Sequence, residues 1–297
     1  MAVVRGTVMD ASVLDRLSPG DHVCRVYGEE DQRAETVAGF VRGGVRRGHK
    51  VVYFAVRSPG AVLEELASRG VDGRVLCDRG QLEVARAGDG YLTSDGFDLG
   101  TAVAGWEREI ARAREGGYAG LWEMGDMAWA AGEGAVAERL LRYEREATRF
   151  FSRDDALALC LYDRRIFPEE ELDAIAAVHP STLEPADDAD WAPLLRMRRT
   201  SRPPGLRLIG EADASNSHAL AATLASLAGD LPLTDEPLTL DLTELRFADA
   251  AVARLLIRTA RVLPNGMRIA GCPSCVARLL TLLGGGWIPG AGLRHDG

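Results

Sequence analysis

The sequence predicts an α/β protein of two units, a mostly parallel sheet flanked by helices followed by a smaller α/β unit. Three observations carry this. Apolar strand-like runs alternate with helix-period segments from about Asp21 to Val178; a stretch rich in Pro, Asp and Arg without periodicity follows; and the alternation resumes from about Leu206. Alternation of that kind places helices on both faces of a parallel sheet. A chain of 297 residues also exceeds what one core ordinarily organises. The division drawn from these patterns is a first domain over 1–185, a linker over 186–204 and a second domain over 205–290.

The elements follow in order. His22–Tyr27 (HVCRVY) reads as a strand closed by Gly28, and Asp31–Arg47 carries Ala34, Val37, Ala38, Val41 and Val45 at helical spacing. Lys50–Val56 (KVVYFAV) is an apolar run bounded by Ser58-Pro59-Gly60, hence a buried strand. Ala61–Arg69 reads as a helix stopped by Gly70, and Gln81–Ala85 as a short strand. Phe97–Glu115 is an amphipathic helix ending at Gly116-Gly117; Ala119–Met124 is a strand, Val136–Phe151 a helix, Ala156–Tyr162 a strand, and Pro168 begins a helix over Glu169–Val178. In the second unit, strands at Leu206–Ile209, Pro237–Leu242 and Met267–Ala270 alternate with helices at Ala219–Leu227, Asp249–Val262 and Ser274–Leu283, Asp249 serving as an N-cap.

Composition excludes several functions. A formal net charge of -9 opposes general affinity for nucleic acid. The one short basic cluster, Arg196, Arg198, Arg199 and Arg202, lies in the expected linker and reads as solvated. The first residues show no signal-peptide pattern and no apolar run reaches the ~20 residues of a membrane span. Five scattered cysteines, Cys24, Cys77, Cys160, Cys272 and Cys275, suit reduced thiols, so a cytoplasmic location is expected. The first strand-to-helix turn, Tyr27–Thr36 (YGEEDQRAET), lacks the lysine of a P-loop and offers Gly28 followed by Glu29, Glu30 and Asp31, which repel a triphosphate. Cys272-Pro273-Ser274-Cys275 matches C-x-x-C but stands alone, and the glycine-rich GAGLRHDG end follows no strand and reads as a tail.

The second unit resembles a STAS domain, the fold of anti-sigma-factor antagonists, through Leu206–Leu220, Leu238–Leu263 and Met267–Gly284. In that family a kinase phosphorylates a serine in an Asp-Ser-Ser-Gly motif at a helix start, which switches partner binding off. The corresponding run here is Asp249-Ala250-Ala251-Val252, the expected partner face, where alanines replace both serines and no hydroxyl remains. Thr243 is a nearby hydroxyl that reads more simply as a loop cap. The first unit resembles the MEDS family, sensory domains of methanogen and methylotroph regulators. The carrying segments are Gly20–Tyr27, Arg46–Val56, Gly80–Val84, Gly117–Ala130, Tyr143–Glu146 (YERE), Leu159–Pro168 and His179-Pro180. That resemblance implies a RecA-like sheet without a working P-loop and the sensing of a small organic molecule.

Strand alternation puts His22 and Cys24 on one face, and Cys160 and Tyr162 on one face of theirs. A RecA-like strand order sets those two strands side by side, with Cys24 and Cys160 as neighbours near the carboxyl edge. Asp21, His22, Glu123, Asp126, Trp129, Tyr162, Asp163 and Arg164 then surround a ligand crevice at the switch point. Each has a plainer reading: Asp21 as a turn cap, His22 as a satisfied core histidine, the cysteines and Trp106, Trp122 and Trp129 as core filling, and Asp163-Arg164-Arg165 as an exposed loop. The expected function is a cytoplasmic sensor whose second module binds an anti-sigma factor, a serine kinase or another STAS protein. No catalytic residue and no metal ligand is assigned, the cofactor stays open, and neither nucleic acid nor membrane is an expected partner; self-association is an open alternative. The rival readings are a nucleotide-dependent switch kinase and a structural scaffold.

Overall fold

The computed structural model describes residues 11–88, 92–93, 96–131, 134–184, 191–230 and 237–284. The glycine-rich tail and the first residues lie outside them. The elements are α1 (Ala11–Leu14), β1 (His22–Tyr27), α2 (Glu30–Arg46), β2 (Lys50–Ala55), α3 (Pro59–Ser68), α4 (Gly73–Asp78), β3 (Leu82–Arg86), β4 (Leu92–Thr93), β5 (Gly96–Phe97) and α5 (Leu99–Glu115). Then come β6 (Leu121–Asp126), a 3₁₀ turn over Met127–Ala130, α6 (Gly134–Phe151), β7 (Ala156–Asp163), α7 (Glu169–Ala177) and β8 (Ser181–Leu183). The second domain holds β9 (Leu195–Ser201), β10 (Pro204–Ala212), α8 (Ser217–Asp230), β11 (Leu238–Ala248), α9 (Ala250–Val262), β12 (Met267–Ala270) and α10 (Ser274–Leu282).

The first domain is built on a six-stranded sheet in the order β3-β2-β6-β7-β1-β8, with every pairing parallel. One face is covered by α1, α2 and α3 through Leu14, Val37, Phe40, Val41, Val62 and Leu66. The other is covered by α5, α6 and α7 through Trp106, Ile110, Leu140, Tyr143, Phe150 and Ile175. Burial on both faces is why β1 and β7 carry no exposed position. As the RecA-like order requires, β7 lies beside β1, with Cys24 opposite Cys160 and Val26 opposite Tyr162.

The second domain is a four-stranded sheet in the order β12-β11-β10-β9, with α8, α9 and α10 packed on its core. Its first strand corrects the sequence reading. The stretch 186–204 was expected to be a linker, yet Leu195–Ser201 is a strand antiparallel to β10. Leu195 and Met197 point inward while arginines alternate with them, a period of two that Arg-rich composition disguises. The arginines are not solvated linker charges either. Arg196 pairs with buried Asp21, Arg198 with Asp154 and Ser18, and the Arg199 amide donates to the Ser152 carbonyl. Five further short elements, α1, α4, β4, the 3₁₀ turn over Met127–Ala130 and β8, lie where no element was expected.

Gly210 sits in β10 with φ +102, where a Cβ would stand 2.3 Å from the Leu194 carbonyl oxygen. Gly210→Ala is therefore expected to cost the second domain about 2–4 kcal/mol, because neither backbone can yield. Gly229, in α8 with open space around it, should gain up to about 1 kcal/mol as alanine. Urea titrations of both variants check the pair; equal effects would contradict the packing described.

Candidate functional site

Strand alternation divides the sequence-predicted residues between two faces of the sheet. Cys24, Cys160 and Tyr162 belong to the core under α6, and His22 and Glu123 share that side by their register on β1 and β6. Asp126 and Asp163 end β6 and β7 on the α2 side. Asp21 precedes β1 at the opposite edge, capping Ser18 and held by Arg196. The single crevice expected from sequence is thus not formed. A period-two backbone cannot aim neighbouring positions such as Tyr162 and Asp163 into one space. Nor do Cys24 and Cys160 sit at the carboxyl edge; they meet in mid-strand, fully enclosed.

On the α6 face a polar cluster is sealed from water. His22, Glu144, Cys160 and His179 are at most 3 % exposed. Glu144 Oε2 lies 3.2 Å from His22 Nε2 and 3.2 Å from His179 Nε2, and 3.5 Å from the Cys160 thiol that donates to it. His22 Nε2 is 3.3 Å from Cys160 Sγ. The Tyr162 hydroxyl donates to the other carboxylate oxygen, Glu144 Oε1. The tautomers follow from the outer partners. His179 Nδ1 is 2.8 Å from the Ile175 carbonyl, which only accepts, so Nδ1 carries the hydrogen. Thr148 gives its hydroxyl hydrogen to the Val178 carbonyl, so it accepts from His22 Nδ1 at 2.8 Å.

Electrostatics agree with that geometry. Burial, then neighbouring His179, pushes His22 down to about 4 against the pull of Glu144. Burial alone would raise Glu144, but His179 and His22 outweigh it and hold the carboxyl below its ordinary range. Burial first, and then the Glu144 charge, push the Cys24, Cys160 and Tyr162 groups up, keeping all three protonated. Beside the cluster, Trp106 Nε1 donates to Glu123 Oε1 at 2.7 Å. That is a positioning contact in the core and no exposed ligand cage.

The carboxyl edge on the α2 side is arranged differently. The Gly28 and Glu29 amides, which in a P-loop would face phosphate, both donate to Gln32 Oε1, at 2.9 and 3.3 Å. Arg33 is spent on Glu30 and Glu65, and Arg165 on Asp163 and Glu30. Burial works against the Asp163 carboxylate, but its hydrogen bonds from Arg165 hold it below the ordinary range. Asp126 accepts from the Ala128 amide, and burial pushes its carboxyl up. Arg164 is exposed and reaches Glu184 at 3.4 Å. Trp129 packs against the α6-side core only in part.

The family model described as MEDS (MEthanogen/methylotroph, DcmR Sensory domain) matches residues 21–180. The chain belongs to the MEDS family. A second family model, described as Mlab, STAS domain, matches residues 195–286, so a MEDS domain is followed by a STAS domain. The chain is thereby a signalling or regulatory protein with a STAS module. No curated protein matches. A solved KaiC-like protein from the hyperthermophilic archaeon Pyrococcus horikoshii OT3 is similar at 10% identity and a TM-score of 0.40, over 65% of this chain and 86% of that one. Among the described residues no helix is long and apolar enough to cross a membrane.

Within the STAS domain, Asp249 caps α9, accepting from the Val252 amide at 2.8 Å as expected. Ala251 is exposed and Ala250 half-buried, but Val252 is fully enclosed in the core and cannot touch a partner directly. Phe247, 48 % exposed, stands on the strand just before the cap and was not foreseen. The Thr243 hydroxyl donates to Asp241 at 2.6 Å, closing its own turn. Cys272 and Cys275 are free thiols, and burial pushes Cys272 up.

The two domains share contacts that begin at the MEDS cluster. Helix α6 presents Glu144 and Thr148 to the cluster and, from the same turns, Arg149 to Ser226 of α8 at 3.1 Å. His179-Pro180 lines a cavity of about 310 Å³, together with Trp191, Leu194, Ser215 and Asn216. Glu144 and His179 were not singled out from sequence, although the YERE and His-Pro segments that contain them carried the family resemblance.

Two substitutions test these assignments. Trp106→Phe removes the indole donor from buried Glu123 and is expected to cost about 1–3 kcal/mol. Arg196→Ala leaves the Asp21 carboxylate without its guanidinium and should cost about 2–4 kcal/mol, with Arg196→Lys restoring part of it. Denaturant melts of the full chain check both; a neutral Arg196→Ala would mean the pair contributes nothing to the interface.

Proposed function

We propose that the chain is a sensor in which the MEDS domain binds a small organic molecule and thereby alters how the STAS module engages an anti-sigma-type kinase or a related STAS protein. The observation that carries this reading is the double role of α6, which holds the buried cluster with one side and the STAS helix α8 with another. A ligand can shift such a pair only by favouring one arrangement of it. The cavity of about 310 Å³ lined from both domains has the size of a small-ligand site, at the low end of the ~300–1,000 Å³ range.

The same reading assigns no catalysis. Gln32 occupies the amide nest of the first turn, and carboxylates surround it, so a nucleotide phosphate meets filled donors and like charge. On the STAS side, Ala250 and Ala251 stand where a kinase would find hydroxyls, so control comes from the MEDS domain through the shared interface. Those alanines equally suit a constitutive scaffold, which differs in forming a large assembly without any ligand.

Thermal and chemical melts of the full chain with small alcohols, aldehydes and organic acids test sensing. At least one class should add about 2–3 kcal/mol at roughly a hundred times its Kd; stabilisation by none would remove the sensory role. Light scattering should give a small particle, and a ligand-independent large assembly would favour the scaffold. Incubation with ATP and magnesium should give no turnover, and turnover abolished by Asp126→Ala would establish the enzyme reading instead. For the partner face, an anti-sigma-type kinase recovered with the wild type should be lost with Ala251→Glu and with Phe247→Ala.

A further inference from the structure

The buried cluster holds more lone pairs than hydrogens to fill them. With Nδ1–H of His179 given to Ile175 and that of His22 given to Thr148, each ring in its neutral form would turn an Nε2 lone pair toward Glu144 Oε2. The Cys160 thiol carries one proton for all three acceptors. His179 Nε2, although 3.2 Å from the carboxylate, makes no hydrogen bond. In so enclosed a place each unsatisfied group is destabilising. A positive charge at the centre would satisfy all of them together.

The spacing suits a metal ion. A tetrahedral ion with bonds of ~2.0–2.2 Å to nitrogen and oxygen and ~2.3 Å to sulfur sets its ligands about 3.3–3.6 Å apart. The distances here are 3.2 Å for each imidazole to the carboxylate, 3.3 Å from His22 to sulfur and 3.5 Å from carboxylate to sulfur. All four donor atoms lie within 4.8 Å of one another. The outer partners are also in place. Thr148 stands behind His22, the Ile175 carbonyl behind His179, and the Tyr162 hydroxyl on the carboxylate oxygen that faces away. Metal-binding imidazoles and carboxylates are characteristically held from behind in this way.

We propose that His22 Nε2, Glu144 Oε2, Cys160 Sγ and His179 Nε2 form a closed tetrahedral site for a zinc-type divalent cation. Two imidazoles, a thiolate and a carboxylate suit zinc and disfavour magnesium or calcium, which prefer oxygen alone. Four protein ligands without solvent access make the site structural, and on binding the thiol proton leaves to water. The ligands come from β1, α6, β7 and the residue pair after α7, so the ion ties α6 and His179-Pro180, which meet the STAS domain, to two strands of the MEDS sheet.

The full chain, purified without chelator and then stripped and refilled with zinc or cobalt(II), tests this. The expected result is about one metal per chain and a tetrahedral cobalt spectrum with a sulfur-to-cobalt charge-transfer band. Cys160→Ser should abolish that band while Cys275→Ser retains it. Thr148→Val, which touches no ligand atom of the ion, should weaken zinc about 10–100-fold. If Cys160→Ser does not fold, the wild-type cobalt spectrum and Thr148→Val decide. Substoichiometric metal, an octahedral cobalt spectrum, a band that survives Cys160→Ser, or unchanged affinity in Thr148→Val would each overturn the site.

Discussion

Glu144 is a carboxylate with no exposed surface in the middle of an otherwise apolar helix face formed by Leu140, Tyr143, Ala147 and Phe150. An isolated charge in such a place costs several kcal/mol, so the surrounding fold must supply partners or the helix cannot dock. The partners come from three separate elements: His22 from β1, Cys160 and Tyr162 from β7, and His179 from the turn after α7. The polar requirement of a single side chain therefore fixes how α6 and α7 lie on the sheet, and α6 in turn presents Arg149 to the STAS domain.

On the opposite face of the sheet, the backbone amides of the first strand-to-helix turn are already engaged. The strand–turn–helix at the start of the MEDS domain retains the free amides that such a turn always presents. Gln32 satisfies two of them from within the helix, and Arg33 and Arg165 are linked through Glu30, with Glu65 and Asp163 as their further partners, in a chain of ion pairs across the edge. Their effect is to leave the edge with its cations already matched.

Much of the architecture was legible because it depends on periodicity. Unbroken apolar runs such as Ala156–Tyr162 and the helical spacing after Gly28 lie close to the observed elements, and the strand order put Cys24 opposite Cys160 as expected. What failed depended on tertiary partners. Glu144 lies between charged neighbours in YERE, and only docking reveals which of those acids is enclosed. His179 follows a helix end and meets the cluster only through the packing of α7. Leu195–Ser201 was hidden because its outward residues are arginines that find partners in the other domain. Val252 was placed on the partner face by motif position, although the first turn of α9 rotates it inward.

The central claim is that the buried carboxylate and the STAS interface are mechanically one unit. Hydrogen exchange of the full chain, wild type against Glu144→Gln, addresses it directly. The account predicts faster exchange in α6, around His179-Pro180 and, across the interface, in α8 from Ser217 to Asp230. Faster exchange confined to the MEDS domain, with α8 unchanged, would contradict it.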